Sequence, residues 1–130
     1  MKRYVVAVLI LLFAAANCYA VPQQTNTCYT ATGAAAMAGS YTVGTVAKDI
    51  KEVRVHLSSA SATSENLVIS VDSRHGSAYD VVLVTQDMNT VQNLAWSPDG
   101  IIHMEEGDKL LVTWANTNTR TWGLEVICEK

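Results

Sequence analysis

The histidines are the first candidates for chemistry, because imidazole binds metals and transfers protons near neutral pH. The chain has three of them, His56, His75 and His103, and none has a cysteine or a second histidine three or four residues away. Zinc sites in proteins are built from such closely spaced ligands. The spacing therefore predicts no zinc site, and we expect each histidine to be an exposed strand or turn residue.

Aspartate and glutamate are the second reactive group, since loop carboxylates bind calcium and paired carboxylates hydrolyse glycosides. Most of them fall at the ends of predicted strands, where aspartate favours turns. These residues are Asp72, Asp80, Asp87, Asp99, Glu105, Glu106 and Asp108. No calcium-loop motif joins them, so the sequence predicts turn residues, no metal and no cofactor, with calcium binding as the alternative.

Motifs for covalent or phosphate chemistry are missing from the sequence. It contains no Gly-x-Ser-x-Gly segment, which presents a nucleophilic serine, and no glycine-rich loop of the kind that holds a phosphate. A carboxylate pair is not readable from the sequence, because its members meet only in the fold. We predict that the protein is not an enzyme and keep a small hydrolase as an alternative.

The three tryptophans are candidates for sugar binding, because planar aromatic side chains suit the faces of sugar rings. Trp114 and Trp122 continue an apolar alternation and are predicted to be core residues. Trp96 stands beside a turn at 97–100 and is predicted to be exposed. The predicted binding residues are Trp96, Asn116, Asn118 and Arg120. A glycan-binding module is therefore the alternative to a structural role.

The C-terminal run 106–128 positions most of these residues. Apolar residues alternate with others from Leu110 to Trp114 and again from Trp122 to Cys128. We predict a β-hairpin in which Trp114 pairs with Trp122, Val112 with Leu124 and Leu110 with Val126. That register buries both tryptophans and leaves the tip at 116–120 exposed for recognition.

Further alternating segments at 53–57 and 66–72 predict half-buried strands. The run 81–84 is apolar on both faces, which predicts either a central strand or a strand whose outer face is covered by a partner. Turn signals recur every eight to twelve residues or so, and no amphipathic helix appears. The pattern predicts an all-β antiparallel β-sandwich of about seven or eight strands over 41–130, jelly-roll-like rather than immunoglobulin-like.

The N-terminus predicts export. Lys2 and Arg3 precede an apolar run and then small residues up to Ala20, which is the order of a secretory signal peptide. We predict a signal peptide at 1–20 and, after cleavage, a secreted or periplasmic chain with no membrane attachment. Cleavage after Ala16 and retention of the segment as an anchor are the alternatives.

Export also determines which cysteines can form a disulfide. Cys18 leaves with the signal peptide unless it is lipidated, so Cys28 and Cys128 remain together in an oxidising compartment. We predict a disulfide between them, with two unpaired thiols as the alternative. The bridge would tie a flexible arm at 21–40, rich in Gln, Thr, Ala and Gly, to the end of the sandwich.

The charge of the mature chain argues against nucleic acid as a partner. Removal of the signal peptide takes two of the nine basic residues and none of the twelve acidic ones, so the net charge becomes 7 − 12 = −5. The remaining basic residues are scattered and form no stripe that would neutralise phosphates. We therefore expect no nucleic acid, and protein partners or self-association instead.

Two segments resemble a known group of proteins. The segment SAYDVVLVTQDM at 77–88 and the segment WANTNTRTWGLE at 114–125 are similar to small, uncharacterised β-sandwich proteins of tailed phages and environmental phage genomes, over the stretch 53–126. The resemblance implies a structural or surface-attached domain of the sort used in virion decoration or host contact. The resemblance implies no catalytic residue, and it implies the virion as the alternative location.

Overall fold

Strands account for most of the chain that the computed structural model describes, which is residues 26–130. Within that part there are nine strands and one short 3-10 turn at Ser77–Tyr79. The strands are β1 Asn26–Gly33, β2 Met37–Thr42, β3 Lys48–Leu57, β4 Asn66–Asp72, β5 Val81–Asp87, β6 Asn93–Trp96, β7 Ile102–Met104, β8 Lys109–Trp114 and β9 Trp122–Glu129. The predicted signal peptide at 1–20 and residues 21–25 lie outside the described residues.

The strands form two antiparallel sheets. Sheet A has the order β1-β9-β3-β6, with β7 beside the first residues of β3, and sheet B has the order β2-β8-β4-β5. Successive strands pass from one sheet to the other except at the β4–β5 hairpin and between β6 and β7. This is the arrangement of a jelly roll, and it confirms the predicted all-β sandwich.

The predicted C-terminal hairpin is wrong in its pairing. Strand β8 lies in sheet B between β2 and β4, whereas β9 lies in sheet A between β1 and β3. Val112 has Gly39 and Ile69 as its neighbours rather than Leu124. The predicted faces are nevertheless right, because the apolar side chains of both strands are buried. Two strands that face each other across a sandwich show the same alternation as two strands of one hairpin.

The predicted flexible arm is also wrong from Asn26 onward. Residues Asn26–Gly33 and Met37–Thr42 are edge strands that pair with β9 and β8, so the sandwich begins before residue 41. Small residues are required here, since a side chain carbon on Gly39 would collide with Leu124 and one on Gly33 would lie 2.7 Å from the Trp122 ring. The threonines and glycines that suggested a low-complexity arm therefore belong to two edge strands that pack closely against the rest of the sandwich.

The core fills the space between the two sheets. Its side chains come from the inward faces of both, and most are completely buried. Sheet A contributes Ile50, Val53, Val55, Leu57, Leu124 and Val126, and sheet B contributes Leu67, Ile69, Leu110, Val112 and Trp114. Each such side chain contributes about 1.5 to 3 kcal/mol through its burial.

The predicted disulfide is present. Cys28 of β1 is bonded to Cys128 of β9, with 5.8 Å between their Cα atoms and a sequence separation of 100. Both strands are neighbours in sheet A, and a bulge in β1 between Thr27 and Tyr29 sets Cys28 beside its partner. The bridge thus fastens an edge strand to the strand inside it.

Candidate functional site

The most exposed apolar surface on a strand lies at β5. Among the described residues β5 pairs with β4 alone, so it forms an edge of sheet B. Val81 is 52% exposed, Val82 is 62% exposed, and Tyr79 just before the strand is 65% exposed. The prediction of a central strand is therefore wrong. The surface formed by Tyr79, Val81 and Val82 is called the β5 edge below.

A bulge explains how four successive apolar residues are accommodated on an edge strand. Ile69 of β4 pairs with Val84 but the next residue, Ser70, pairs with Val82, so Leu83 is the extra residue. Leu83 and Val84 pack against the core, while Val82 lies on the outer face of sheet B. Leu83 and Val84 therefore belong to the core, whereas Val81 and Val82 are exposed at the edge of sheet B.

The middle of the outer face of sheet B, beside the β5 edge, carries no charge. Two rows of paired residues cross all four strands of this sheet. The rows are Ser40, Leu111, Ser70 and Val82, and Ala38, Thr113, Val68 and Thr85. Charged residues stand in the rows on either side of these two. Lys109 Nζ lies 3.0 Å from Asp72 Oδ2 on one side, and Asp87 lies on the other. The β5 edge therefore continues into an uncharged strip that is two rows wide.

A second exposed apolar residue lies on the same side of the molecule. Strands β1 and β2 contact each other at one side of the sandwich, so β5 and β7 occupy the opposite side. Ile101 directly precedes β7 and is 74% exposed. Both sheets thus present apolar side chains along this side.

The sequence-predicted binding residues are not gathered into one site. Trp96 is half-buried on β6, opposite Val53, and packs against the core. Trp114 and Trp122 are buried as predicted. No aromatic platform for sugar rings is formed by these three tryptophans.

The loop between β8 and β9 is a structural junction. Asn116 is 2% exposed and adopts a left-handed conformation, and its amide donates hydrogen bonds to the carbonyls of Ala34 and Ala35. Asn118 donates to Thr63 Oγ1 at 2.7 Å. The half-buried Arg120 follows, and its backbone amide donates to Asn116 Oδ1. The tip predicted to be open for recognition instead holds neighbouring loops together.

The carboxylates near the other end of the sandwich are also used structurally. Asp108 is 9% exposed and accepts hydrogen bonds from the backbone amides of Arg74 and Glu105 at 3.0 and 2.9 Å. The Arg74 guanidinium contacts the Glu105 carboxylate and the carbonyl of Glu106. Burial alone would raise the pKa of the Asp108 carboxyl, but the two amides and the charge of Arg74 lower that pKa below its usual value.

Stability should therefore fall in acid through Asp108. Because the pKa of its carboxyl is lower in the folded chain, the stabilisation is complete above the unfolded value of about 3.9 and is lost as the pH drops through the folded value. We expect Asp108→Asn to lower the free energy of unfolding by about 2 kcal/mol at pH 7 and by less at pH 3. Urea titrations at both pH values measure this, with Asp99→Asn in an exposed turn as the control. A difference that does not change with pH would contradict the assignment.

The histidines and carboxylates do not combine into a metal or catalytic centre. The three histidines are exposed, and His103 Nδ1 lies 2.6 Å from Asp49 Oδ1. Residues 26–130 contain no group of three or more His, Cys, Asp and Glu side chains placed to hold a metal ion. That same part of the chain has no helix long and apolar enough to cross a membrane.

Comparisons with family models and with curated proteins found no relative. No protein-family model matches the chain, and no curated protein matches it either.

Proposed function

We propose that the protein is a non-catalytic, exported β-sandwich that acts as a structural, assembly or surface-attachment domain, and that copies associate through the β5 edge. The observation that carries this proposal is the exposure of Val81 and Val82 on an edge strand, and of Tyr79 just before it. The sequence allowed a run apolar on both faces to be central or partner-covered. The edge position of β5 leaves this surface open, which supports its covering by a partner.

The composition of β5 supports this proposal. Natural proteins protect edge strands with lysine, proline, charges or bulges, because unpaired backbone groups otherwise attract other strands. Val81–Asp87 contains no lysine and no proline, and its one charge is Asp87 at the far end. The bulge at Leu83 limits regular strand pairing with a second chain. We therefore assign much of the contact to apolar side chains of the β5 edge and the uncharged strip beside it.

The proposed location is outside the cytoplasm. The signal-like segment at 1–20 supports a secreted or periplasmic protein, and the similarity of 77–88 and 114–125 to phage β-sandwich proteins supports the virion as the alternative. Jelly rolls occur in viral capsid and lectin domains, but a fold by itself does not fix a function.

Light scattering coupled to size-exclusion chromatography tests the assembly. We expect the exported chain to form dimers or larger oligomers at high concentration, and we expect Val82→Lys to weaken association by about tenfold or more, since it places a charge in an apolar contact. Val46→Lys is the matched control, because Val46 is 51% exposed but lies in the β2–β3 connection. A wild-type protein that stays monomeric throughout would overturn the proposal.

A further inference from the structure

An open groove lies on the outer face of sheet A, away from the β5 edge. Its volume is about 630 Å³, within the range of small-molecule sites. Its lining comes from the four strands β1, β9, β3 and β6 and includes no residue of sheet B, which places it on the outer surface rather than between the sheets. No residue assigned above to assembly or to the end loops takes part in it.

The groove exists because Gly123 stands in the middle of the sheet. Thr32 of β1 and His56 of β3 flank it as its paired neighbours, and Glu125 is the next outward residue on β9. A side chain carbon added to Gly123 would meet no atom within 4 Å. The depression therefore includes the space that a side chain at Gly123 would occupy, and the fold does not require that space to be empty.

Polar groups of both kinds surround this space. His56 Nδ1 lies 2.5 Å from Asn93 Oδ1. Because that oxygen can only accept, Nδ1 is the donor; Nε2 of the neutral ring is then an acceptor, and the Asn93 side-chain nitrogen is a donor. Thr30 and Thr32 add exposed hydroxyls on the opposite wall, and each hydroxyl both donates and accepts. Donors and acceptors thus stand side by side on each wall.

The charges of the groove compensate each other. Arg54 donates a hydrogen bond to Glu52 at 2.6 Å and a longer one to Glu125 at 3.4 Å. Thr27 also donates to Glu125, at 2.7 Å. The Arg54 side chain is therefore committed to carboxylates of this sheet, and the lining of the groove itself carries one charge of each sign, from Arg54 and Glu125.

We propose that this groove binds a neutral carbohydrate. Sugar hydroxyls donate and accept at the same atom, which matches the alternating donors and acceptors on the walls. The bare backbone at Gly123 leaves the floor between the walls without a side chain, so the C–H face of a sugar ring can approach it. The site differs from the aromatic one that the sequence suggested, since the residues lining the groove include no aromatic ring other than the imidazole of His56.

Nuclear magnetic resonance titration of the exported chain tests this site. The probes are maltotriose, cellotriose and chitotriose as neutral trisaccharides, with trigalacturonic acid as the charged comparison, each at millimolar concentration. We expect at least one neutral trisaccharide to shift the backbone amide signals of Gly123, Thr32, His56 and Asn93. Shifts confined to other surfaces, binding of trigalacturonic acid alone, or no shift with any probe would overturn the proposal.

Matched glycine variants make the test specific. Gly123→Leu places a side chain in the centre of the groove, and we expect it to weaken binding of the responding sugar by about tenfold or more. Gly44→Leu is the control, because a side chain at Gly44 also meets open space but lies outside the groove. Asn93→Ala is a second groove variant on an exposed side chain, with the same expected direction. Binding that survives both groove variants would refute the site, whereas Val82→Lys should leave binding unchanged.

Discussion

Removing the disulfide with Cys28→Ala and Cys128→Ala together should lower the free energy of unfolding by about 4 to 5 kcal/mol. The bond joins residues that are 100 apart in sequence, so it lowers the conformational entropy of the unfolded chain strongly. Urea unfolding of the exported chain measures the change, and the wild-type protein in reductant should show the same loss. A loss below about 1 kcal/mol would contradict this expectation.

The same variant should loosen β1 before the rest of the sandwich. Strand β1 pairs with β9 alone among the described strands, and its outer face carries threonines rather than large apolar residues. Without the bridge its anchorage is that pairing plus the partly buried Cys28, Tyr29 and Ala31. Hydrogen exchange should therefore speed up in β1 more than in β3, which has neighbours on both sides. Equal acceleration in both strands would show that the bridge acts only on the unfolded chain.

Alternation predicted which residues are buried but not which strands are neighbours. Leu110 and Val126 were placed correctly in the core, and each was assigned the wrong partner, because a period of two identifies the apolar face of a strand and carries no information about the strand beside it. The N-terminal strands were missed for a different reason. On an edge that packs closely against Trp122 and Leu124, small residues replace the large ones that a strand usually shows.

The candidate surfaces were accessible to sequence reasoning to different degrees. The doubly apolar run at 81–84 already indicated a strand that needs a cover, and the structure supplied its edge position. The groove at Gly123 was not predictable, because it is made by side chains from four strands that are distant in sequence. A glycine inside an otherwise alternating strand was the one signal available, since such a glycine often marks a close approach of backbone to a ligand.

The 116–120 loop also shows why a polar tip is a weak indicator of binding. Asparagine is common in loops both because it recognises ligands and because it tolerates a left-handed backbone while its amide bonds to nearby carbonyls. Asn116 does the second, with a φ of 51°. Its amide reaches the β1–β2 connection, where Trp122 Nε1 also donates to Ala35 O at 2.9 Å. Two loops that are far apart in sequence are thus fixed by one buried side chain.

Asn116→Ala should lower the free energy of unfolding by about 3 to 4 kcal/mol. The change removes the hydrogen bonds to the carbonyls of Ala34, Ala35 and Arg120 and leaves the Arg120 amide without its acceptor. Alanine also adopts the left-handed conformation at a cost that asparagine largely avoids. Urea unfolding measures the loss. Asn66→Ala, at the exposed start of β4, is the control and should change stability by no more than about 0.5 kcal/mol.

Asn116→Gly separates the two contributions to that loss. Glycine removes the same hydrogen bonds but accepts the positive φ, so it should recover about 1 kcal/mol relative to Asn116→Ala. If both variants unfold with the wild-type free energy, the loop is held by its other contacts, and the assignment of Asn116 as a structural residue is wrong. If both lose the expected stability, Asn116 is a structural residue, and ligand contacts have to be sought on the open faces of the two sheets.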